Sequence, residues 1–275
     1  MWREPSRYTE RTRSTAMIPV HWIVQENQGN FAEVSRLVSA IESEGQIPHL
    51  VHLTKSHDIP PIPDLPDEAP AVCHGPGFVT RAPRYPRLKS GLFFDHKAFC
   101  WQAFSRGWAG AMLSKDARVA TLSETLDLLR NGVSAFVRPD ADSKLFDGGV
   151  YDGAGLVTAT NNGTVFSDTP VIVASPLAIE AEWRFFVVNR EIVGCSEYRC
   201  GGRPSSGGTV PQSAIDLATE LVLRWSPAPI YCLDLAATDE RIGVVEANCF
   251  NASRFYGAAV ERIVRSVSEY VSSGR

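Results

Sequence analysis

Apolar positions along this chain alternate between a period near two and a period near 3.6, and the switches between them mark out its elements. Met17 to Gln25 (MIPVHWIVQ) is strand-like; Phe31, Val34, Leu37, Val38 and Ile41 recur at helical spacing over Phe31 to Glu44; Gln46 to Leu53 returns to strand character. That is a βαβ opening. The proline-rich run Asp58 to Pro70 can continue neither element and predicts an exposed connection before a short strand at Ala71 to His74. From Asp95 the run HKAFCWQAFSRGW predicts a helix, and Ser123 to Leu129 a second one capped by Ser123 or Thr121.

Strand-like runs dominate from Val133 to Tyr198: SAFVRP, GLVTAT, TPVIVAS, EWRFFVVN and EIVGCSEY. Asn189 and Arg190 form a tight link, so Glu182 to Tyr198 reads as a hairpin. Gly201 to Gly208 (GGRPSSGG) reads as a mobile loop. Ser213 to Trp225 is helical, Pro229 to Ala236 and Ile242 to Asn248 are strands, and Tyr256 to Val271 closes the chain as an amphipathic helix. The pattern predicts an α/β protein built from α+β lobes, without an internal repeat.

Composition narrows the function classes. The 275 residues are 44% hydrophobic, with 27 Lys+Arg against 31 Asp+Glu and a formal charge of −4. That balance disfavours a nucleic-acid partner bound through its phosphates. No run approaches the roughly 18 apolar residues of a membrane helix, so no membrane partner is expected. Residues 1–16 carry Arg3, Arg7, Arg11 and Arg13 without an apolar stretch, which is no secretory signal and reads as a disordered tail. Six cysteines without a C-x-x-C pair suggest reduced thiols in a cytoplasmic protein.

The strongest chemical signal is the late strand pair IYCLDLA and IGVVEAN. Asp234 and Glu246 each sit among apolar neighbours, where an ionised carboxylate is costly unless a partner compensates it. Glu246 and Asn248 share a strand face. If the turn between the strands is odd in length, as with 239–241, Asp234 falls opposite Glu246 with Cβ atoms roughly 5 Å apart. Two acids and an amide suit a hard cation such as Mg²⁺. The alternative is an Asp234 paired with Lys or Arg and a Glu246 solvated at a sheet end.

Two further clusters favour anions. In AFVRPDADSKLFDGGV, Arg138, Lys144 and the amides of Gly148 and Gly149 could embrace phosphate oxygens, or be a strand-end arginine and a solvated turn. In AIEAEWRFFVVNREIVGCSEYR, Glu182 and Arg184 share a face and Arg199 ends the return strand. Arginines on a buried sheet need local acids or an anionic ligand. His49 and His52 face opposite ways on their strand, and no nucleophile triad is present.

In this order the pieces resemble the ATP-grasp superfamily. The signature is a βαβ lobe, FVRP with Lys144, the hinge VIVASPLAI, the pair EWRFFVV and SEYR, and the metal strands YCLDLA and VVEANCFNAS, over about residues 17–270. The finer pattern is similar to a divergent bacterial and phage clade with arginine in place of the usual ATP-binding lysine. The resemblance implies a pre-ATP-grasp lobe at 17–92 and a two-subdomain ATP-grasp domain at 93–275, with subdomains at about 133–179 and 180–275.

It further implies an ATP-dependent ligase that converts a carboxylate to an acylphosphate for attack by an amine or thiol. Small-molecule or peptide carboxylates and amines would be its partners, with ATP and Mg²⁺ as cofactors. By motif, Asp234, Glu246 and Asn248 would ligate Mg²⁺, and Arg138 and Lys144 would contact phosphate. The hinge near Ala174 and Leu177 would face adenine, and Glu182 the ribose or a cation. Arg184 and Arg199 would steady the transferred phosphate or the acceptor carboxylate. A catalytically silent nucleotide-binding module and a nucleic-acid-associated enzyme are the competing readings.

Overall fold

The computed structural model describes residues 18–54, 65–66, 69–130, 132–140, 145–161 and 163–274. The expected tail over 1–16, most of the Asp58 to Pro70 connection, and Lys144 lie outside them.

The first lobe is the predicted βαβ unit. Strands β1 (His21–Gln25), β2 (Ile47–Val51) and β3 (Ala71–His74) are parallel in the order β2-β1-β3, and helix α1 (Phe31–Ser43) crosses between the first two. Asn30 caps α1 by accepting from the Glu33 amide. Short helices α2 (Pro76–Arg81) and α3 (Pro86–Lys89) each begin with proline at the first helical position, where its missing N–H costs nothing.

Helix α4 (Trp101–Gly107) leads to a four-stranded sheet of β4 (Arg118–Thr121), β5 (Ala135–Pro139), β6 (Gly149–Tyr151) and β7 (Pro170–Ala174), in the order β4-β7-β5-β6. Two helices cover it, α5 (Leu122–Leu129) and α6 (Gly153–Thr160). Thr121, not Ser123, caps α5, and Glu124 returns the bond to complete a capping box. The run GLVTAT is helical rather than extended. Asp152 accepts from the Gly155 amide and starts α6 there, and this local cap outweighs the β-branched content.

The last sheet is antiparallel in the order β10-β9-β8-β11-β12, from β8 (Ala181–Val188), β9 (Glu191–Cys200), β10 (Arg203–Pro204), β11 (Ile230–Ala237) and β12 (Ile242–Cys249). Asn189 and Arg190 both have positive φ, so the β8–β9 link is the expected tight turn. GGRPSSGG is ordered, contrary to the mobile-loop reading. Gly201 and Gly202, at φ 54° and 75°, close a two-residue turn that pairs Arg203 with Cys200. Helix α7 (Gln212–Arg224) packs on one face of this sheet with α4, over Trp183, Phe185, Val187, Leu233 and Leu235. Helix α8 (Val260–Ser272) covers one end of the other face.

Alternation along the strands explains why that other face divides. Phe186, Val188, Ile230 and Cys232 lie under Val260, Ile263, Val264 and Val267 of α8, in a core shared with Trp22, Val34, Leu37 and Ile41 of the first lobe. Towards the far strand ends the same face turns polar, with Glu182, Arg184, Asp234, Glu246 and Asn248. The four-stranded sheet keeps its own core around Val137, Leu156 and Val171. A cleft therefore separates two bodies that do not share an interior.

His74, at the end of β3, stacks on Phe255 at 5.1 Å and meets Phe250 edge-on at 5.7 Å. Burial pulls its pKa down to about 4, with the Ser253 backbone only partly opposing. An unfolded chain binds this proton near pH 6.5 and the folded one only near 4. Stability should therefore fall as pH drops through that window, by up to about 3 kcal/mol from this group. Urea unfolding of His74→Leu between pH 7 and 4 should show a flatter dependence; a slope unchanged from the parent would contradict the assignment.

Candidate active site

Asp234 lies opposite Glu246, but by another route than an odd turn. The turn between β11 and β12 is the four residues 238–241, and the register shifts after Asp234, so that Leu235 pairs with Val244 and Val245 is the extra residue of a β-bulge. Without that bulge an even turn would set Asp234 against Val245 and send Glu246 to the opposite face. Asn248, two residues on, donates its amide to Asp234 Oδ2 and to Glu246 Oε1, both at 2.9 Å.

Arg184 faces Asp234 from β8 and forks onto it, Nε to Oδ1 at 2.8 Å and Nη2 to Oδ2 at 2.7 Å. The pair is deeply buried, its side chains 9% and 1% exposed. Burial disfavours the Arg184 cation, but the charge and hydrogen bonds of Asp234 more than offset it and hold its pKa well above the usual arginine value. Asp234 is pushed up by burial; Arg184 opposes this, and the nearby Glu246 and Glu182 carboxylates add to it. Glu246 is less enclosed, and Arg138 reaches it from β5 across the cleft at 2.6 Å.

A second bulge aims the neighbouring groups. Glu182 pairs with Arg199 while Trp183 pairs with Glu197, which leaves Tyr198 as the extra residue of β9. Both residues then reach Glu182, the Tyr198 hydroxyl donating to Oε2 at 2.7 Å and Arg199 Nη1 lying 3.2 Å from Oε1. Glu182 Oε1 is buried and accepts no hydrogen bond. The Arg184 guanidinium sits between two phenol rings, 5.6 Å from the centre of Tyr198 and 5.4 Å from that of Tyr256.

Three compartments follow one another along the cleft. The first, about 360 Å³, is largely apolar, with Met112, Leu113, Phe136, Ile172, Leu177 and Val244 between the two sheets. Asp116 accepts the Ser175 amide at 2.9 Å on this wall, and Pro176 has no N–H, so Leu177 supplies the next backbone donor. The second, about 330 Å³, is charged and holds Arg138, Glu182, Arg184, Arg199, Asp234 and Glu246. The third, about 390 Å³, is polar and is shared between the first lobe (Asn30, Glu33, His74) and the last sheet (Arg184, Glu246, Asn248, Arg254).

The structure thus brings Arg138, Ala174, Leu177, Glu182, Arg184, Arg199, Asp234, Glu246 and Asn248 around one cleft. Lys144 is outside the described residues. Among the described residues no three His, Cys, Asp or Glu side chains gather as a metal cluster, and the candidate cation ligands are two carboxylates and an amide. All six cysteines are free; Cys73 and Cys232 are buried thiols pushed up to about 12, unsuited to nucleophilic work. Sequence reasoning assigned no role to Asp116, Tyr198 or Tyr256. Only the tyrosines left a signal, beside the arginine of SEYR and in the run SRFY. No described helix is long and apolar enough to cross a membrane.

The profile of an ATP-grasp domain family, the third family of the R-to-K clade, matches residues 53–267. No curated protein matches the sequence. Among solved structures, a RimK domain protein ATP-grasp from Sphaerobacter thermophilus is similar at 15% identity and TM-score 0.62, over 91% of this chain and 99% of that one. D-alanine–D-alanine ligase from Bacillus anthracis follows at 12% identity and TM-score 0.58, over 94% and 99%. The ATP-grasp ligase PsnB, complexed with the precursor peptide PsnA2 and AMPPNP, is similar at 12% and 0.52, over 93% and 98%. At these identities the structures bear on the fold, and the family match carries the assignment: the chain belongs to the ATP-grasp superfamily, in family 3 of the R-to-K clade, a membership that suggests an ATP-dependent ligase.

Proposed function

We propose that the protein joins a carboxylate to an amine through an acylphosphate, using Mg-ATP. The observation that carries this reading is the order of the compartments: an apolar slot, then facing arginines and carboxylates, then a polar chamber that the first lobe closes. A nucleotide with a second substrate beside its terminal phosphate needs that sequence of environments.

Phe136, Ile172, Leu177 and Val244 would sandwich adenine. The orphaned Glu182 Oε1 fits a donor such as a ribose hydroxyl, which would satisfy it. Arg138 and Arg199, each now paired to a carboxylate, would turn to phosphate oxygens, which pair bidentately with guanidinium. Arg184, fixed by Asp234 and two rings, would keep its charge beside the reacting groups without reorganising.

Asp234, Glu246 and Asn248 fit Mg²⁺. Their donors are all oxygen, provided that Asn248 turns its carbonyl inward, and a buried carboxylate crowded by two others is one that a cation relieves. Bound there, the ion would neutralise charge on the phosphates. Arg184 and Arg199 would hold the acceptor carboxylate for attack on the terminal phosphorus, with ADP leaving. The amine would then displace phosphate from the acyl carbon.

The test follows one oxygen. With a carboxylate acceptor labelled with ¹⁸O, drawn from a screen for acceptor-dependent ADP release, one label should appear in the phosphate produced. Unlabelled phosphate, or AMP and pyrophosphate as products, would refute the acylphosphate route. A cytoplasmic setting is part of the same proposal and rests on the unpaired cysteines.

A further inference from the structure

Three residues of the described chain have positive φ without being glycine, and two of them form the β8–β9 turn. The third, Tyr256 at φ 49°, lies in no hairpin and is held there from outside its own segment. Glu33 Oε1, on α1, accepts the backbone amides of Phe255 at 2.6 Å and Tyr256 at 3.4 Å. Arg36, one turn on, donates to the carbonyl oxygens of Tyr256 and Ala258. From the other side the Gly257 amide donates to Ser196 Oγ at 2.9 Å.

The outcome is a fixed ring. Tyr256 stacks on Tyr198, with centroids 5.2 Å apart and planes 22° apart, and lies over the Arg184 guanidinium. It lines both the charged and the polar compartments, and its hydroxyl makes no hydrogen bond within the described residues. Burial raises the phenol pKa, with Arg184 partly opposing, so the group stays a donor.

We infer that Tyr256 is a catalytic residue of the phosphoryl transfer, donating its hydroxyl hydrogen to an equatorial oxygen of the group in flight, and that Glu33 and Arg36 are positioning residues through which the first lobe sets it. The inference rests on the acylphosphate reading. In that step an acceptor carboxylate oxygen bonds to the terminal phosphorus as the bond to the ADP oxygen breaks. Tyr256 keeps its proton throughout and answers charge spread over the equatorial oxygens.

The experiment needs no acceptor. Calorimetry on the full chain compares Mg-ADP with Mg-ADP plus aluminium fluoride, whose planar fluoride mimics the phosphoryl group in flight. The parent should bind the second at least about tenfold more tightly. Tyr256→Phe should leave Mg-ADP affinity within about twofold and cut the fluoride preference by about tenfold, as expected for one lost hydrogen bond to a charged group. Glu33→Ala should act in the same direction, and the double variant should lose no more than Tyr256→Phe alone.

An unchanged preference in Tyr256→Phe, or an equal loss for Mg-ADP, overturns the role of the hydroxyl. Additive losses in the double variant overturn the positioning by Glu33, and thermal melts of each variant identify misfolding. A parent that binds no Mg-ADP overturns the nucleotide reading itself, and the inference with it.

Discussion

Glu246→Gln is expected to abolish nearly all Mg-ATP turnover, by about a hundredfold or more, while unfolding within about 1 kcal/mol of the parent. Asp234→Asn is expected to lose turnover and about 3 kcal/mol of stability together. Both side chains are candidate cation ligands on adjacent strands, so chemistry alone predicts the same result for each. Their surroundings differ. Glu246 is 27% exposed, borders an open cleft, and answers an Arg138 that can turn to solvent or ligand. Asp234 is the only carboxylate hydrogen-bonded to a guanidinium buried between two rings, and an asparagine there leaves Arg184 with a neutral partner that can accept at one atom only. Urea unfolding beside an ADP-release assay separates the two variants. Equal stability losses would mean that Asp234 does not anchor Arg184.

The second large effect is expected far from the chemistry. Asn251→Ala should cost at least about 3 kcal/mol, seen as a lower urea midpoint at constant slope. Its side chain is fully buried and serves both lobes: Nδ2 donates to the carbonyl oxygens of Cys73 at 2.6 Å and Gly91 at 2.7 Å, and Oδ1 accepts the Phe93 amide at 2.8 Å. Its own carbonyl takes the Gly75 amide at 2.6 Å, a bond the substitution spares. Removing the side chain strands three backbone groups where water cannot replace it. A loss below about 1 kcal/mol would show that the lobes are held by apolar contact alone.

Much of this architecture was legible in the sequence, for a reason that also marks the limit. Elements whose pattern is enforced by burial on one face were readable: α1 with its spacing of Phe31, Val34, Leu37 and Ile41, and the two late strands with an acid embedded in each. Asp234, Glu246 and Asn248 could be placed together because register carries side chains to a common face. Where local capping decided the outcome, composition misled. GLVTAT has the composition of a strand, but the Asp152 cap makes it a helix, and GGRPSSGG has the composition of a loose loop although two adjacent glycines suit a tight turn. Asp116, Tyr256 and Asn251 act through partners 59, 223 and 178 positions away, and no periodicity encodes those contacts.

The bulge at Val245 has a consequence for anyone comparing or rebuilding such proteins. Twelve positions separate Asp234 from Glu246, and that interval has no meaning by itself, because connector length and the inserted residue compensate each other in parity. A homologue with one residue fewer in the connector and no insertion would present the same pair of acids. Deleting a single connector residue here, with the insertion kept, would bury the second acid in the oily side of the sheet. Grafts and alignments of this hairpin should therefore treat the connector and the insertion as one inherited unit.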